Sequence, residues 1–317
     1  MAWFDNLVGC SAREWTARGC PLDSLPAKFY ETCGEFSTPS LQSLWDGVRS
    51  REKNGKLPKL QVRTRTEWNA SVPLFDTSAM QARAGRKHMF QVASNYNCLE
   101  VASEYTDPFD PSFITNLVRD TTQGPSASGG AVTGAILRIG LHRKCPIDLL
   151  QDTDLKQKNG KCRCDSSIKT FKAMDLMRVG MHTGVMPIFD RSGEELVPAR
   201  PDAHPIDQVF TSTCIQTTSA STAMAQACLD AAYEGTYLCA ALQRTETLVL
   251  TAIGGGHFRN NPRQIAAAIA RAHNLVGPYL SSNCQVVLPL YEPVGWGCTK
   301  SMLESLRPLE FVEHVMI

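Results

Sequence analysis

Thr247-Leu248-Val249-Leu250-Thr251-Ala252-Ile253 runs directly into Gly254-Gly255-Gly256-His257-Phe258, and Asn261-Pro262 follows. A near-continuous apolar run of this length suits a strand covered on both faces, as in parallel sheets. The glycines then turn the chain. Asn261 reads as an N-cap and Pro262 as the first residue of a helix over about residues 262–273. Upstream, residues 208–214 read as a strand. A long helix follows over residues 223–243, capped by Ser219 or Ser221, with Met224, Ala227, Cys228, Ala231, Ala232 and Leu238 on its inner face. Tyr233 and Glu234 read as packing and surface residues of that helix. Downstream, Val286-Val287-Leu288-Pro289-Leu290 reads as the last strand. The order strand, helix, strand, glycine loop, helix, strand predicts a layered α/β sandwich.

Further out the pattern is less regular. Leu41, Leu44, Trp45 and Val48 have helical spacing, residues 51–58 read as a solvated turn, and Leu60-Gln61-Val62-Arg63-Thr64 alternates like an edge strand. Met89-Phe90-Gln91-Val92-Ala93 is a short apolar run that ends in Ser94-Asn95-Tyr96-Asn97. The small-residue loop at 120–130 leads into a buried element at 131–139. Residues 151–168 are a polar insertion carrying Cys162 and Cys164. Residues 171–181 have helical spacing and several methionines, residues 185–190 read as a short strand, and Arg191-Ser192-Gly193 is a turn signal.

Composition removes several function classes. The chain has 317 residues, a net charge of +1 and 12 cysteines. A near-neutral balance excludes a general polyanion binder, so no nucleic-acid partner is expected. No apolar run reaches the ~20 residues of a membrane-spanning helix, so no membrane partner is expected either. Met1-Ala2-Trp3-Phe4-Asp5 lacks the basic and apolar regions of a secretory signal, which predicts a cytoplasmic protein with reduced, mostly buried cysteines. The Cys162-Arg163-Cys164 pair has no second pair and no histidine pair beside it, so no metal site is expected.

A glycine loop between a buried strand and a helix suits anions, because its backbone N–H groups approach phosphate closely. Three glycines also make a plain tight turn. Read with its surroundings, however, the order of elements resembles the C-terminal half of a macrodomain. Phe90-Gln91-Val92-Ala93-Ser94-Asn95-Tyr96-Asn97-Cys98-Leu99-Glu100, Asp120-Thr121-Thr122-Gln123-Gly124-Pro125 and Leu229-Asp230-Ala231-Ala232-Tyr233-Glu234 are similar to a divergent branch of these proteins. That branch resembles the poly(ADP-ribose) glycohydrolases and an effector that removes ADP-ribose from ubiquitin. The resemblance spans roughly residues 85–295. It implies a macrodomain-like three-layer α/β sandwich with a mixed central sheet over 85–317, an insertion around 145–183, and a mostly helical extension over 1–84 packed on the core. It implies ADP-ribose or an ADP-ribosylated protein as partner, ubiquitin among the candidates, hydrolysis of the bond to the distal ribose, and no cofactor. The family's glycine run followed by paired glutamates is absent near Asn95, so no catalytic glutamate pair is carried over.

The resemblance places ligand contacts at Ser94, Asn95, Asn97, Thr122, Gln123, Gly124, Gly254, Gly255, Gly256, His257, Phe258 and Asn261. Asn95 and Asn97 would bond ribose hydroxyls, Gln123 would position water or ribose, and Phe258 would stack. Cleavage at an anomeric carbon passes through an oxocarbenium-like state, which a carboxylate stabilises or attacks by activating water. Glu100 and Asp120 flank the small-residue loops and are the candidate catalytic acids. These residues also have plain readings: Asp120 as a cap, Glu100 as a first-turn acid, Asn97 as a turn residue and His257 as a loop histidine, while Asp230, on the long helix, is a weaker acid candidate. Two competing functions stand beside the hydrolase. One is a non-catalytic ADP-ribose reader. The other is a cysteine hydrolase with Cys98, activated at a helix start, as nucleophile and His257 as base.

Overall fold

The computed structural model describes residues 2–64, 77–99, 101, 103–119, 130–165, 167–168, 172–192, 195–216, 223–290 and 298–316. Its helices are α1 (Ala2–Val8), α2 (Ala12–Ala17), α3 (Ala27–Tyr30), α4 (Leu41–Arg49), α5 (Thr77–Ala82), α6 (Pro111–Asn116), α7 (Val132–Lys144), α8 (Ala223–Gln243), α9 (Pro262–Val276) and α10 (Cys298–Leu306). Its strands are β1 (Glu35–Ser37), β2 (Leu60–Thr64), β3 (His88–Ala93), β4 (Gln157–Lys158), β5 (Lys161–Cys162), β6 (Gly180–Val185), β7 (Phe189–Ser192), β8 (Glu195–Pro198), β9 (Ile206–Thr211), β10 (Thr247–Val249), β11 (Gln285–Leu290) and β12 (Val312–Met316).

Eight strands form one mixed sheet in the order β1-β6-β9-β3-β10-β11-β2-β12. From β9 to β12 all neighbours are parallel, while β6 runs antiparallel to both β9 and β1. Helices cover both faces. On one side α8 packs against α9 and α4. It is buried nearly all round, as expected for an alanine-rich helix between layers. Gly235 is what lets α8 close on its neighbours, because a Cβ there would stand 2.5 Å from Val179 Cγ1. On the other side α7 packs with Phe4, Trp15 and Phe29 of the first helices. The expected boundary at 84/85 therefore falls between β2 and β3 of a single sheet. Among the described residues, no helix is long and apolar enough to cross a membrane.

Helices α8 and α9 form where the periodicity and the Asn261 cap predict, and the Asn261 side chain accepts from the Arg263 N–H at 2.9 Å. Several other expectations change. Strand β2 is internal, between β11 and β12. It alternates because only one face is covered, and its outer residues bond each other and β12, with Arg63 donating to Gln61 and Gln61 to Glu313. Residues 174–176 form a single 3₁₀ turn rather than a helix, and β6 begins at Gly180. Here Arg178 ties the chain elsewhere, through Leu149 O, Asp152 and Thr38 O. The strand expected at 185–190 is divided between the end of β6 and the start of β7. The last strand is β12, not β11. Glu234 is buried, not on the surface, because Trp45 Nε1 and Arg271 both donate to its carboxylate. The cysteines are not all free: Cys164 and Cys214 form a disulfide.

Candidate functional site

The parallel strands β9, β3 and β10 end on one edge of the sheet, where α/β proteins commonly bind ligands. Three segments leave that edge: 94–99 after β3, 212–216 after β9 and 250–261 after β10. The first starts beside the end of β9, where the Ser94 N–H donates to Thr211 O at 2.9 Å.

The segment after β3 is held by its own side chains. Asn95 Nδ2 donates to Val101 O at 2.9 Å, and Asn97 Oδ1 accepts the Leu99 N–H at 3.1 Å. Both asparagines are buried. Cys98 stands at φ +59 inside the core, and among the described residues no helix starts at it. It is packed against Gly180, whose Cβ would lie 2.7 Å from the Cys98 sulfur. This placement argues against the cysteine-hydrolase reading, since a thiol buried in the core has no access to a substrate. The Cys98 carbonyl accepts from Arg138 Nε at 3.0 Å. The Arg138 guanidinium lies 3.7 Å over the Phe210 ring and donates to His182 Nδ1 at 2.9 Å. His182 in turn donates from Nε2 to Cys33 O at 2.7 Å. Burial, and secondarily Arg138, pulls the His182 pKa down to about 3, so the imidazole stays neutral.

The polar insertion folds over this loop. Strands β4 and β5 form a hairpin whose turn, Asn159-Gly160, has positive φ at both residues, as a tight two-residue hairpin requires. Gly160 O accepts the Tyr96 N–H at 2.8 Å, and a Cβ on Gly160 would meet Asn97 Oδ1 at 2.5 Å. Asn159 accepts from Asn97 Nδ2 at 3.3 Å and donates to Thr106 O at 2.7 Å. Beyond β5 the chain pairs with the 212–216 loop. The Ile215 N–H donates to Cys162 O at 2.7 Å and the Cys164 N–H to Ile215 O at 2.9 Å, beside the Cys164–Cys214 disulfide.

The glycine loop closes on itself and on the same neighbour. The Gly255 N–H donates to Ala252 O at 3.1 Å and the Asn260 N–H to Gly254 O at 2.9 Å. Gly254 has φ +73, a conformation that favours glycine. The buried Asn260 side chain joins the loops: Nδ2 donates to Cys214 O at 3.1 Å, and Oδ1 accepts from Thr213 Oγ1 at 3.2 Å. The Gln216 N–H donates to Phe258 O at 3.0 Å.

Where these parts meet there is a cavity of about 200 Å³, lined by Ser103, Glu104, Tyr105, Lys161, Arg163, Ile215 and His257. Lys161 is only 8% exposed, with Nζ 3.4 Å from Asn95 Oδ1 and 5.1 Å from the Phe258 ring centre. Its pKa is lowered by burial, while Glu104 acts in the opposite direction. A hydrogen bond with Tyr105, and then Arg163, holds Glu104 below the usual carboxylate range. A larger cleft of about 800 Å³ opens between α4, α8 and α9 instead of at the strand ends, and its Glu234 is already satisfied by Trp45 and Arg271.

Of the residues named from the sequence, Ser94, Asn95, Asn97, Gly254, Gly255, Gly256, His257 and Phe258 lie in the loops at this edge, His257 exposed and Phe258 half-buried. Asn261 caps α9 at the far end of the glycine loop. Glu100, Asp120, Thr122, Gln123 and Gly124 lie outside the described residues. Lys161, Asn260 and Glu104 were not singled out from the sequence. Only the alternating Lys161-Cys162-Arg163-Cys164 string, with the two-residue rhythm of a strand, hinted at the first. Among the described residues, no three His, Cys, Asp or Glu side chains are placed to hold a metal ion.

No protein-family model and no curated protein matches the chain. Among solved structures, the chain is similar to poly(ADP-ribose) glycohydrolase from Thermomonospora curvata, with a TM-score of 0.50 and 13% identity over 93% of this chain and 96% of that one. It is also similar to the Deinococcus radiodurans enzyme in complex with ADP-ribose, with a TM-score of 0.49 and 14% identity over 89% and 99% of the two chains. At these identities the likeness is one of fold. The mixed eight-stranded sheet between two helical layers is thus the macrodomain-like fold of the poly(ADP-ribose) glycohydrolases.

Proposed function

We propose that this chain binds ADP-ribose at the carboxyl edge of its sheet and hydrolyses the bond between the distal ribose and its attachment. The observation that carries the reading is that, on a fold shared with a glycohydrolase, Lys161, which bonds Asn95, and His257 of the glycine loop line one cavity at this edge of the sheet. The glycine loop brings backbone close to a diphosphate, Phe258 offers a ring face, and the asparagine loop borders the sugar. The reacting carboxylate is Asp120 or Glu100, which would stabilise the cationic sugar or activate water. The finer reading is action on an ADP-ribosylated protein side chain, with ubiquitin as one candidate substrate, in the cytoplasm.

Thermal unfolding with and without ADP-ribose tests binding. A ligand at a hundredfold excess over its Kd stabilises the folded state by about 2.7 kcal/mol. An unchanged midpoint at millimolar ADP-ribose defeats the proposal. Release of ADP-ribose from a modified protein, lost in Asp120→Ala or Glu100→Ala while binding persists, identifies the enzyme. Binding without release by the wild type leaves a reader.

A further inference from the structure

Lys161 is a buried lysine among the described residues. Several partly exposed arginines have an acid at hand, Arg271 with Glu234, Arg178 with Asp152 and Arg83 with Asp190, and the buried Arg138 donates to the Cys98 carbonyl and to His182. Among the described residues, no carboxylate lies within ion-pair distance of the Lys161 ammonium. Its contacts are a long hydrogen bond to Asn95 Oδ1 at 3.4 Å and the Phe258 ring 5.1 Å away. A buried ammonium so weakly compensated is costly, and burial accordingly lowers its pKa. It is nevertheless held rigidly. The Asn159-Gly160 turn locks under Asn97, and the far end of the hairpin is hydrogen-bonded and disulfide-linked to the 212–216 loop. A side chain placed on a braced hairpin at a cavity wall is preorganised for a ligand rather than for solvent.

The cavity says which ligand. Beside Lys161 stand Arg163, whose guanidinium is shared with Glu104 at 3.3 Å, and His257, exposed at the rim. Tyr105, with Lys158 Nζ 4.3 Å from its ring centre, also lines the cavity, and the Phe258 ring lies next to Lys161. The glycine loop also spends several of its amides internally: those of Gly255, Arg259 and Asn260 bond within the loop. Backbone N–H groups alone therefore supply less of an anion cradle than three glycines suggest.

We propose that Lys161 is an anion-binding residue that clamps a phosphate group of a nucleoside diphosphate ester between the Asn95 loop and Phe258. This rests on the ADP-ribose reading of the same site and names a cation that the glycine loop lacks. A charge-assisted hydrogen bond to phosphate, once lost, weakens binding roughly ten- to hundredfold.

The test is calorimetric titration of wild type, Lys161→Gln and Lys161→Arg with ADP-ribose, pyrophosphate and adenosine. The expected result is a ten- to hundredfold loss of ADP-ribose and pyrophosphate affinity in Lys161→Gln, retention within a few fold in Lys161→Arg, and no change for adenosine. Equal affinities in wild type and Lys161→Gln overturn the inference and leave the ADP-ribose reading intact. Wild-type binding of pyrophosphate but not ADP-ribose, with the same lysine dependence, leaves the inference and removes the ADP-ribose reading. A loss that extends equally to adenosine makes Lys161 a structural residue and overturns it. Should Lys161→Gln fail to fold, acylation of the wild-type lysines read by mass spectrometry decides. Pyrophosphate is expected to protect Lys161, and absence of protection overturns the proposal.

Discussion

Replacing Asn260 by alanine should loosen two of the three loops that frame the site at once. The side chain is 3% exposed, donates to Cys214 O at 3.1 Å and accepts from Thr213 Oγ1 at 3.2 Å. It has longer contacts to Phe258 O and Gln216 Nε2, both at 3.4 Å. It also fits against Gly254, where a Cβ would come 2.5 Å from its Nδ2. Truncation leaves the Cys214 carbonyl and the Thr213 hydroxyl without this partner in a dry interior, at about 1–3 kcal/mol for each group so orphaned. The expected loss of stability is about 3 kcal/mol, within the range of broken buried networks. Asn260→Asp keeps the volume, yet a carboxylate only accepts hydrogen bonds and would face the Cys214 carbonyl. It should therefore destabilise at least as much as alanine. The neighbouring Asn261→Ala removes a helix cap and should cost only about 1 kcal/mol. Urea unfolding of the three variants, with ADP-ribose titrations at low denaturant, measures both effects. An Asn260→Ala variant no less stable than Asn261→Ala, or an Asn260→Asp variant as stable as wild type, would refute the claim that this carboxamide holds the site together.

Two other perturbations probe the scaffold. His182, with its pKa pulled down to about 3, and His273, pulled down to about 4, are neutral when folded and take up a proton when unfolded below about pH 6.5. Their stabilisation is complete above that pH and is lost as pH falls toward the folded values, at up to about 1.4 kcal/mol per pH unit for each histidine. Urea midpoints between pH 7 and 5 should therefore fall, less steeply in His182→Gln, and a flat profile contradicts the burial argument. The Cys164–Cys214 disulfide spans 50 residues of sequence. Chain-entropy reasoning gives it about 4 kcal/mol, and native disulfides commonly contribute about 2–5. Reductant or Cys164→Ser should lower the unfolding midpoint and raise hydrogen exchange in β4 and β5, whereas equal midpoints with and without reductant would show that the bond contributes nothing.

How far the sequence reached follows from the range of the forces involved. Helix α8, helix α9 with its Asn261 cap, strand β3 and the glycine turn after β10 were legible because period, caps and turn residues act within a few positions. The alternation in β2 was visible too, but whether that strand lay at an edge depended on β11 and β12, more than 200 residues away in the chain. Glu234 looked like a surface acid until Trp45 and Arg271 met it from two other helices. The insertion offered little to bury and read as loop. Only its turn against Asn97 and its bond to Cys214 bring Lys161 to the site. By itself, then, the sequence determined the layered α/β class, its best helices and the glycine turn after β10, since each is a local preference of the backbone. Tertiary structure alone decided strand neighbours, the disulfide, the buried acid and the lysine at the cavity, because those depend on partners that meet only after the chain has closed long loops.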